Sequence, residues 1–184
     1  MAPSSGRKNK QKSKNPKKHE LTNHKFLNEE ARYRYLIEET SEGFYREDCL
    51  QPISIHLPIA EQIEQMYEQL YVAECNDAFA KMYGYPDAAA LKGVKLVTLH
   101  GGTDIPENIE TSRIFIENGY KIIDAETREV GVNEDILYFL NNAVGIIEDN
   151  HLVAIWGTQK NITEQKRAQI ELQTSLQKLA LHVE

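Results

Sequence analysis

The sequence changes from a strand pattern to a helix pattern within residues 154–167, which read Ala154-Ile155-Trp156-Gly157-Thr158-Gln159-Lys160-Asn161-Ile162-Thr163-Glu164-Gln165-Lys166-Arg167. The β-rich apolar run stops at Thr163, whose hydroxyl can accept a hydrogen bond from a backbone N–H of the first helical turn. Glu164 would then lie at the positive end of the helix dipole. We therefore expect a sheet edge joined to an outgoing helix with almost no loop, an arrangement suited to passing a change in the sheet downstream.

Upstream of this junction, the pattern predicts two strands, several short helices and three further strands. The first two strands are expected at 43–48 and 70–75, separated by a Pro-bounded connector over 51–58 and a helix that begins near Pro58. The last three strands are expected at 120–129, 135–147 and 152–161, with polar hairpin turns between them. This order predicts an α+β domain with one five-stranded antiparallel sheet and helices over one face.

Charge divides the chain into a basic tail and an acidic body. Residues 1–20 hold seven Lys or Arg and one acid, a net charge of +6; the whole chain carries −7, so the remaining residues carry −13. We expect a disordered tail over 1–24, a flanking helix over 25–42, the folded domain over 43–162 and a final helix over 163–184. The tail could touch anionic lipid, RNA or an acidic partner.

Composition also bears on location. The basic tail is followed by no apolar signal core, and no stretch approaches the roughly 20 apolar residues that span a bilayer. Cys49 and Cys75 have no metal-site spacing and suggest no disulfide framework, and Cys75 reads as a small buried apolar residue. These observations favour a cytoplasmic protein without a membrane span.

The final segment fits a seven-residue repeat. One row holds Ile162, Gln169, Leu176 and Val183, and the other holds Gln165, Leu172 and Leu179. Pairing with a second copy of the chain and packing back on the chain's own sheet both fit this pattern. Because the apolar seam is still running at the last residue, we expect either the front of a longer protein or a sensor that forms a homodimer through this helix.

Several short motifs, in order, resemble a PAS domain over about residues 35–166. Glu74-Cys75-Asn76-Asp77-Ala78-Phe79 through Gly84-Tyr85 is similar to the signature after the second PAS strand, and the stretches 138–147 and 156–159 resemble the last two strands of a bacterial subgroup. The junction at 161–164 resembles the usual Asp-Ile-Thr-Glu end of these domains, with Asn161 in place of Asp. Members of this subgroup usually precede histidine kinases, diguanylate cyclases or other outputs.

The resemblance implies a regulatory binding module in bacterial signal transduction, including two-component systems, rather than an enzyme. Such a module holds a small ligand, or nothing, between sheet and helices, forms dimers, and acts on an output domain or partner signalling protein. The alternative is a ligand-free adaptor for dimerisation or protein interaction. The residues themselves show no nucleophilic triad, metal-ligand cluster or phosphate-binding glycine loop. A helix-turn-helix with a basic recognition helix is also absent, so no specific nucleic acid is expected.

The resemblance leaves the cofactor unknown and argues against two of them. Flavin photosensors of this fold carry a reactive cysteine in a helix that corresponds to residues 92–99, which contain none. Haem-binding relatives place a histidine on the helix that corresponds to 106–118, which also contains none. His100 could ligate only if its loop folded inward, and otherwise reads as a surface or hydrogen-bonded loop residue.

Candidate ligand-binding residues come from the last two strands and the apolar core. Gln159 lies where flavin-type relatives place a pocket-facing Gln, and an amide can exchange donor for acceptor by rotating; an ordinary edge or surface Gln is the alternative. Asn141 and Asn142 must point to opposite faces, so one faces the pocket, either toward a ligand or water or toward loop backbone. The candidate walls, which could equally be core, are Phe115, Tyr120, Phe139 and Trp156, and the candidate relay or dimerisation residues are Asn161, Ile162, Thr163, Leu172, Leu176 and Leu179.

Overall fold

A computed structural model of the chain describes residues 29–130 and 135–181. Its centre is a five-stranded antiparallel sheet with the spatial order β2-β1-β5-β4-β3. The strands are β1 (Gly43–Ser54), β2 (Leu70–Cys75), β3 (Lys121–Val130), β4 (Ile136–Glu148) and β5 (His151–Asn161). The α+β class and the five strands expected from the sequence are confirmed.

The first strand is longer than its sequence pattern indicates. We expected it to end at Asp48 and give way to a connector, but β1 continues to Ser54. The register of β1 against β5 shifts between Asp48 and Ile53, after which Ile53 pairs with Leu152. Pro52 lies within this irregular segment, where its missing N–H breaks no ladder bond. Burial of Ile53 against the core therefore extends the strand past a proline that local reasoning treats as a break.

A tight hairpin joins β4 to β5. Asp149 and Asn150 both have positive φ, 47° and 62°. Two such residues form the mirror-image turn whose twist matches that of the flanking strands, and Asn and Asp tolerate it well. The polar turn expected here is confirmed; the other expected turn, at 132–135, falls largely outside the described residues.

Along the chain, helices precede β1, connect β1 to β2 and β2 to β3, and follow β5. They are α1 (Glu29–Glu39), α2 (Ile59–Gln69), α3 (Asp77–Met82), α4 (Ala88–Leu91), α5 (Leu96–His100), α6 (Pro106–Glu117) and α7 (Thr163–Leu181), with a 3₁₀ turn at Gly102–Asp104. Local signals place several ends: Asp87 caps α4, and Pro106 opens α6.

Asn76 holds the start of α3 and the start of the sheet together. Its Oδ1 accepts from the backbone N–H of Phe79 in α3 and of Phe44 in β1, both at 3.0 Å. Its Nδ2 donates to the carbonyls of Ile37 at 2.7 Å and Glu42 at 2.9 Å. One buried amide thus satisfies four backbone groups, far more than the helix cap expected from the sequence.

The helix-covered face of the sheet, called the inner face below, carries two apolar clusters. One includes Ile53 of β1, Ile63 of α2 and Phe115 of α6. The other includes Val72 of β2, Phe79 of α3 and Leu91 of α4. Polar side chains, described in the next subsection, share this face with them.

The chain divides into two compact units, residues 1–36 and 37–184. Of the first unit, the structure describes only the residues from Glu29 onward, which form most of α1. The basic tail over 1–24 lies outside the described residues, and the four-part domain division remains a prediction. No described helix is both long enough and apolar enough to cross a membrane.

The final helix leaves the sheet after its first turn. Leu172, Leu176 and Leu179 are 62%, 58% and 64% exposed. The alternative in which this helix packs its seam back on its own sheet is therefore wrong for these leucines.

Candidate ligand site on the inner face of the sheet

Gln159 lies near the middle of the inner face. Its strand runs between β1 and β4, where Gln159 pairs with Gly43 on one side and Asn141 on the other. The residue is 2% exposed, and its Nε2 donates to the Tyr83 hydroxyl at 3.1 Å. Its Oε1 is also buried and has no hydrogen-bond partner among the described residues. The reading of Gln159 as an edge or surface residue is therefore wrong, and an acceptor is left open in the core.

A hydrogen-bonded chain continues from Gln159 to α5. The Tyr83 Oη, which accepts from Gln159, lies 3.3 Å from the Nε2 of His100. Burial lowers the pKa of His100 to about 4, so the imidazole is neutral near pH 7. Its Nε2 can then accept a hydrogen bond from the Tyr83 hydroxyl. The carbonyl of His100 accepts from Asn108 Nδ2 at 2.6 Å. His100 is thus a half-buried, hydrogen-bonded residue at the end of α5 rather than a surface residue.

A second polar chain starts at Asn141, directly across from Gln159. Asn141 is buried, and its Nδ2 donates to the Thr127 hydroxyl at 2.8 Å. The Thr127 hydroxyl in turn donates to Glu129 Oε1 at 3.3 Å. Burial raises the pKa of Glu129 to about 7, and the Thr127 hydrogen bond opposes that rise. The chain links the centre of the sheet to a carboxyl near its β3 edge.

Asn142 lies on the other face, as the two-residue period of a strand requires. Its Oδ1 accepts from the N–H of Asp124 at 2.9 Å, and its Nδ2 donates to the Thr158 hydroxyl at 3.3 Å. Asp124 has a φ of 52° in a register shift of β3. Asn142 therefore supports an irregular strand, and its expected place among the pocket residues is wrong.

Aromatic rings fill the space beside Gln159. Tyr45 lies over Gly157, where a Cβ would overlap the tyrosine ring. Tyr45 stacks on Phe79 with ring centroids 4.6 Å apart, and Phe79 contacts Tyr83 at 5.0 Å. Burial, together with the carboxyls of Glu47 and then Glu129, raises the pKa of Tyr45. Gly157 is thus required by close approach of a ring.

The four candidate walls separate into three core residues and one surface residue. Phe115 and Tyr120 meet edge to face at 5.8 Å, and the Tyr120 hydroxyl donates to Gln62 Oε1 at 2.6 Å. Phe139 is buried on the inner face of β4. Trp156 is 53% exposed on the opposite face, with the guanidinium of Arg46 6.0 Å from its ring. Its assignment as a pocket wall is wrong, because alternation along β5 turns it away from Gln159.

Sequence reasoning missed the acidic and phenolic residues of this face. Glu47 is buried, and burial raises its pKa to about 7. Gly43, Tyr45 and Glu47 are alternate residues of β1, so their side chains lie on one face of the strand. This alternation is the sequence signal that could have placed Glu47 on the inner face. Glu129 and Tyr83 carried no local signal, because their burial depends on elements distant in sequence.

The junction between β5 and α7 is held by β4. Asn161 Oδ1 accepts from the Thr163 N–H at 2.9 Å, and the Ile162 N–H donates to the Tyr138 carbonyl at 2.9 Å. Thr163 Oγ1 accepts from the Tyr138 N–H at 2.9 Å. The expected cap by Thr163 is therefore wrong: Thr163 is the first helical residue, and its hydroxyl binds β4.

Two cationic side chains extend this attachment. Lys166 Nζ lies 2.5 Å from Glu126 Oε2 on β3, and Arg167 Nη2 donates to the carbonyl of Ile136 at 3.2 Å. The first turn of α7 is thus fixed to both β3 and β4.

Other site chemistry is sparse. No group of three or more His, Cys, Asp or Glu within 29–130 and 135–181 could hold a metal ion. Cys49 and Cys75 are free and partly buried, and burial raises their pKa to about 12 and 11. A surface cleft of about 490 Å³ lies between α2 and α5, and none of the predicted site residues lines it.

The chain was compared with known proteins. No protein-family model matches it, and no curated protein matches it. Several solved structures are similar to it in fold. An RNA-binding light-oxygen-voltage receptor is 17% identical, with a TM-score of 0.53 over 85% of this chain, which spans 41% of that receptor. A sensory box histidine kinase/response regulator from Burkholderia thailandensis is 13% identical, with a TM-score of 0.51 over 81% of this chain and 98% of that one.

A PAS domain from Colwellia psychrerythraea is 17% identical, with a TM-score of 0.48 over 72% of this chain and 96% of that one. These solved structures include light-oxygen-voltage and PAS domains, and the fold of this chain is PAS-like. The resemblance noted in the sequence is confirmed at the level of fold.

Proposed function

We propose that this protein is a regulatory sensor of bacterial signal transduction that binds a small molecule between the inner face and the helices. Its state passes through α7 to an output domain or a partner signalling protein. The role is binding, without catalysis, in the cytoplasm, by a chain that pairs with a second copy. The B. thailandensis structure, named as a sensory box histidine kinase/response regulator, supports a place in a two-component system.

The observation that carries the proposal is the unpartnered Oε1 of Gln159. A buried amide oxygen without a donor costs about 1–3 kcal/mol, and a ligand N–H or O–H would remove that cost. The neighbouring Tyr83 hydroxyl and Asn141 amide provide further polar groups at the same place. The expected ligand-binding roles of Asn141 and Gln159 are retained here, with Phe139 on the same face of β4, two residues before Asn141.

The route to α7 is short. Gln159 precedes Asn161 by two residues on β5, and Asn161 orders the Thr163 N–H at the start of the helix. Asn141 pairs with Gln159 and lies three residues beyond Tyr138, whose backbone holds Thr163. A ligand that reorients the Gln159 amide would therefore act on both strands that fix the helix.

The first experiment asks whether the protein carries a molecule. The purified protein is denatured and the released small molecules are identified by mass spectrometry. Gln159→Leu is the test variant, and the control is Thr158→Val, at a half-buried residue on the opposite face of β5. We expect a stoichiometric molecule from the wild type and the control, and much less from Gln159→Leu. Equal recovery from all three proteins would count against a ligand contact at Gln159.

Relay is tested separately by hydrogen exchange at the start of α7. Gln159→Leu should change exchange at residues 162–167 while Thr158→Val leaves it unaltered. Unchanged exchange in both variants would contradict relay from Gln159 to α7, whether or not Gln159 binds a ligand.

One feature favours the alternative, a ligand-free adaptor. The exposed leucines of α7 and the exposed Trp156 are apolar surfaces that a partner could cover. An empty protein that still self-associates would support this second role over the first.

A further inference from the structure

The inner face collects acidic groups, and among the described residues no cation pairs with them. Glu47 is buried and Glu129 is half-buried there, and burial raises the pKa of each to about 7. The strand registers place both carboxyls on the inner face, and both also raise the pKa of the Tyr83 hydroxyl, after the larger effect of burial. Of the two, Glu129 acts more strongly on Tyr83, the residue that holds Gln159.

The basic residues of the described chain lie elsewhere. Apart from Arg46 and Lys166, every Lys and Arg in 29–130 and 135–181 is exposed. Arg46 pairs with Asp48 and Glu74, and Lys166 pairs with Glu126. The remaining groups that face Glu129 are tyrosine hydroxyls, the Thr127 hydroxyl and, farther off, Glu47; His100, beyond Tyr83, is neutral near pH 7. None of them supplies a positive charge.

The strand register gives these groups an order. Gln159 pairs with Asn141, Asn161 with Phe139 in the next row, and Glu129 with Leu137 in the row after that. Tyr45, which covers Gly157, lies on the opposite side of Gln159. The stretch from Gln159 to Glu129 thus has an open amide acceptor at one end, a carboxyl at the other and an aromatic ring in the intervening row.

We propose that this stretch, between Gln159 and Glu129, binds a small organic cation, a protonated amine or guanidinium, with Glu129 as its counter-ion and Gln159 Oε1 as a neutral acceptor. This rests on the ligand-sensing function proposed above and names the class of ligand. An anion would meet two carboxyls and no cation, which disfavours it. The absence of a three-ligand cluster among the described residues disfavours a metal ion. Phe139 adds a ring face of the kind that attracts organic cations.

The test compares cations with anions of similar size. Titration calorimetry at pH 8 uses 1,4-diaminobutane, agmatine and benzylamine as cations, and succinate and benzoate as matched anions. We expect at least one amine to bind the wild type and neither anion to do so. Glu129→Gln should weaken that binding by about tenfold or more, since a hydrogen bond to a charged group is lost. The exposed Glu148→Gln should leave it unchanged.

A second measurement does not depend on any variant. Near pH 7 the Glu129 carboxyl is partly protonated, so a cation that binds it must displace a proton. The apparent binding enthalpy in the wild type should therefore differ at pH 7 between phosphate and HEPES, which differ in ionisation enthalpy and are not primary amines. Equal enthalpies in the two buffers would contradict contact with Glu129.

The outcomes separate this inference from the broader function. Amine binding that is unaffected by Glu129→Gln, binding of the anions, or no binding of any cation would overturn the ligand class. If the released molecule is then neutral or anionic, the sensor function stands without the cation. If the protein also releases no molecule, the ligand-sensing function falls with it.

Discussion

A single buried acid makes the stability of this domain depend on pH. Burial raises the pKa of Glu47 from 4.5 to about 7, so the folded state favours the neutral acid. Its contribution to the free energy of unfolding is fully present below about pH 4.5 and is lost as the pH rises through 7. The loss is on the order of 3 kcal/mol.

Glu47→Gln should therefore remove part of this pH dependence. The amide resembles the neutral acid and does not ionise, so we expect the variant to be more stable than the wild type at pH 8 and close to it at pH 4.5. Urea unfolding at both pH values measures the difference, with the exposed Glu148→Gln as control. His100, whose pKa burial lowers to about 4, acts in the opposite direction below pH 6.5 in both proteins and cancels in the comparison. A pH-independent difference between variant and wild type would contradict this account.

At the scale of elements, the decisive contact is the attachment of α7 to β4. The Thr163 hydroxyl accepts from the Tyr138 N–H, and Asn161 orders the N–H of Thr163 itself. The helix therefore starts on the strand next to β5 as well as on β5. This arrangement makes the β4–β5 pair, together with the Lys166–Glu126 ion pair to β3, the part of the sheet to which α7 is attached.

Thr163→Val should loosen this attachment while keeping the side-chain shape. The Tyr138 N–H would lose its acceptor, which costs about 1–2 kcal/mol, and its amide should exchange faster with solvent. Hydrogen exchange measured by NMR at Tyr138 tests this, and the control is Thr174→Val, which removes a hydroxyl bonded only to the Ile170 carbonyl within α7. Equal protection of the Tyr138 amide in wild type and Thr163→Val would show that the hydroxyl contributes nothing.

At the scale of the whole molecule, the exposed seam of α7 concerns assembly. Leu172, Leu176 and Leu179 follow the seven-residue repeat and are more than half exposed in the single chain. Residues with this spacing bury themselves best against a second helix with the same repeat. We expect the chain to form homodimers through this seam.

Leu172→Glu combined with Leu176→Glu should shift the protein to monomer, because four carboxylates would meet in the dimer. Sedimentation velocity across a concentration series measures the change. The matched control, Thr174→Glu with Gln177→Glu, adds the same charge off the seam and should leave the dimer intact. A wild type that stays monomeric at the highest concentration would rule out this pairing.

The sequence by itself determined the order of elements and the fold. Several signals act over only a few residues, so their effects can be predicted from short stretches of sequence. They are strand alternation, Asn76, Pro106 and the polar turn at Asp149-Asn150. The same local reading failed at Pro52, where pairing with β5 carries β1 onward, and at Thr163, where a strand distant in sequence takes the hydroxyl.

Only the tertiary structure decided the composition of the site. Alternation placed Asn141 and Asn142 on opposite faces, but which face the helices cover is fixed by packing, and that choice put Gln159 inside and Trp156 outside. Glu47 and Glu129 lie on this inner face, and Tyr83 bonds to Gln159 there; the three residues come from separate segments. Their burial and raised pKa values arise from desolvation by elements distant in sequence, a long-range property that no short stretch encodes.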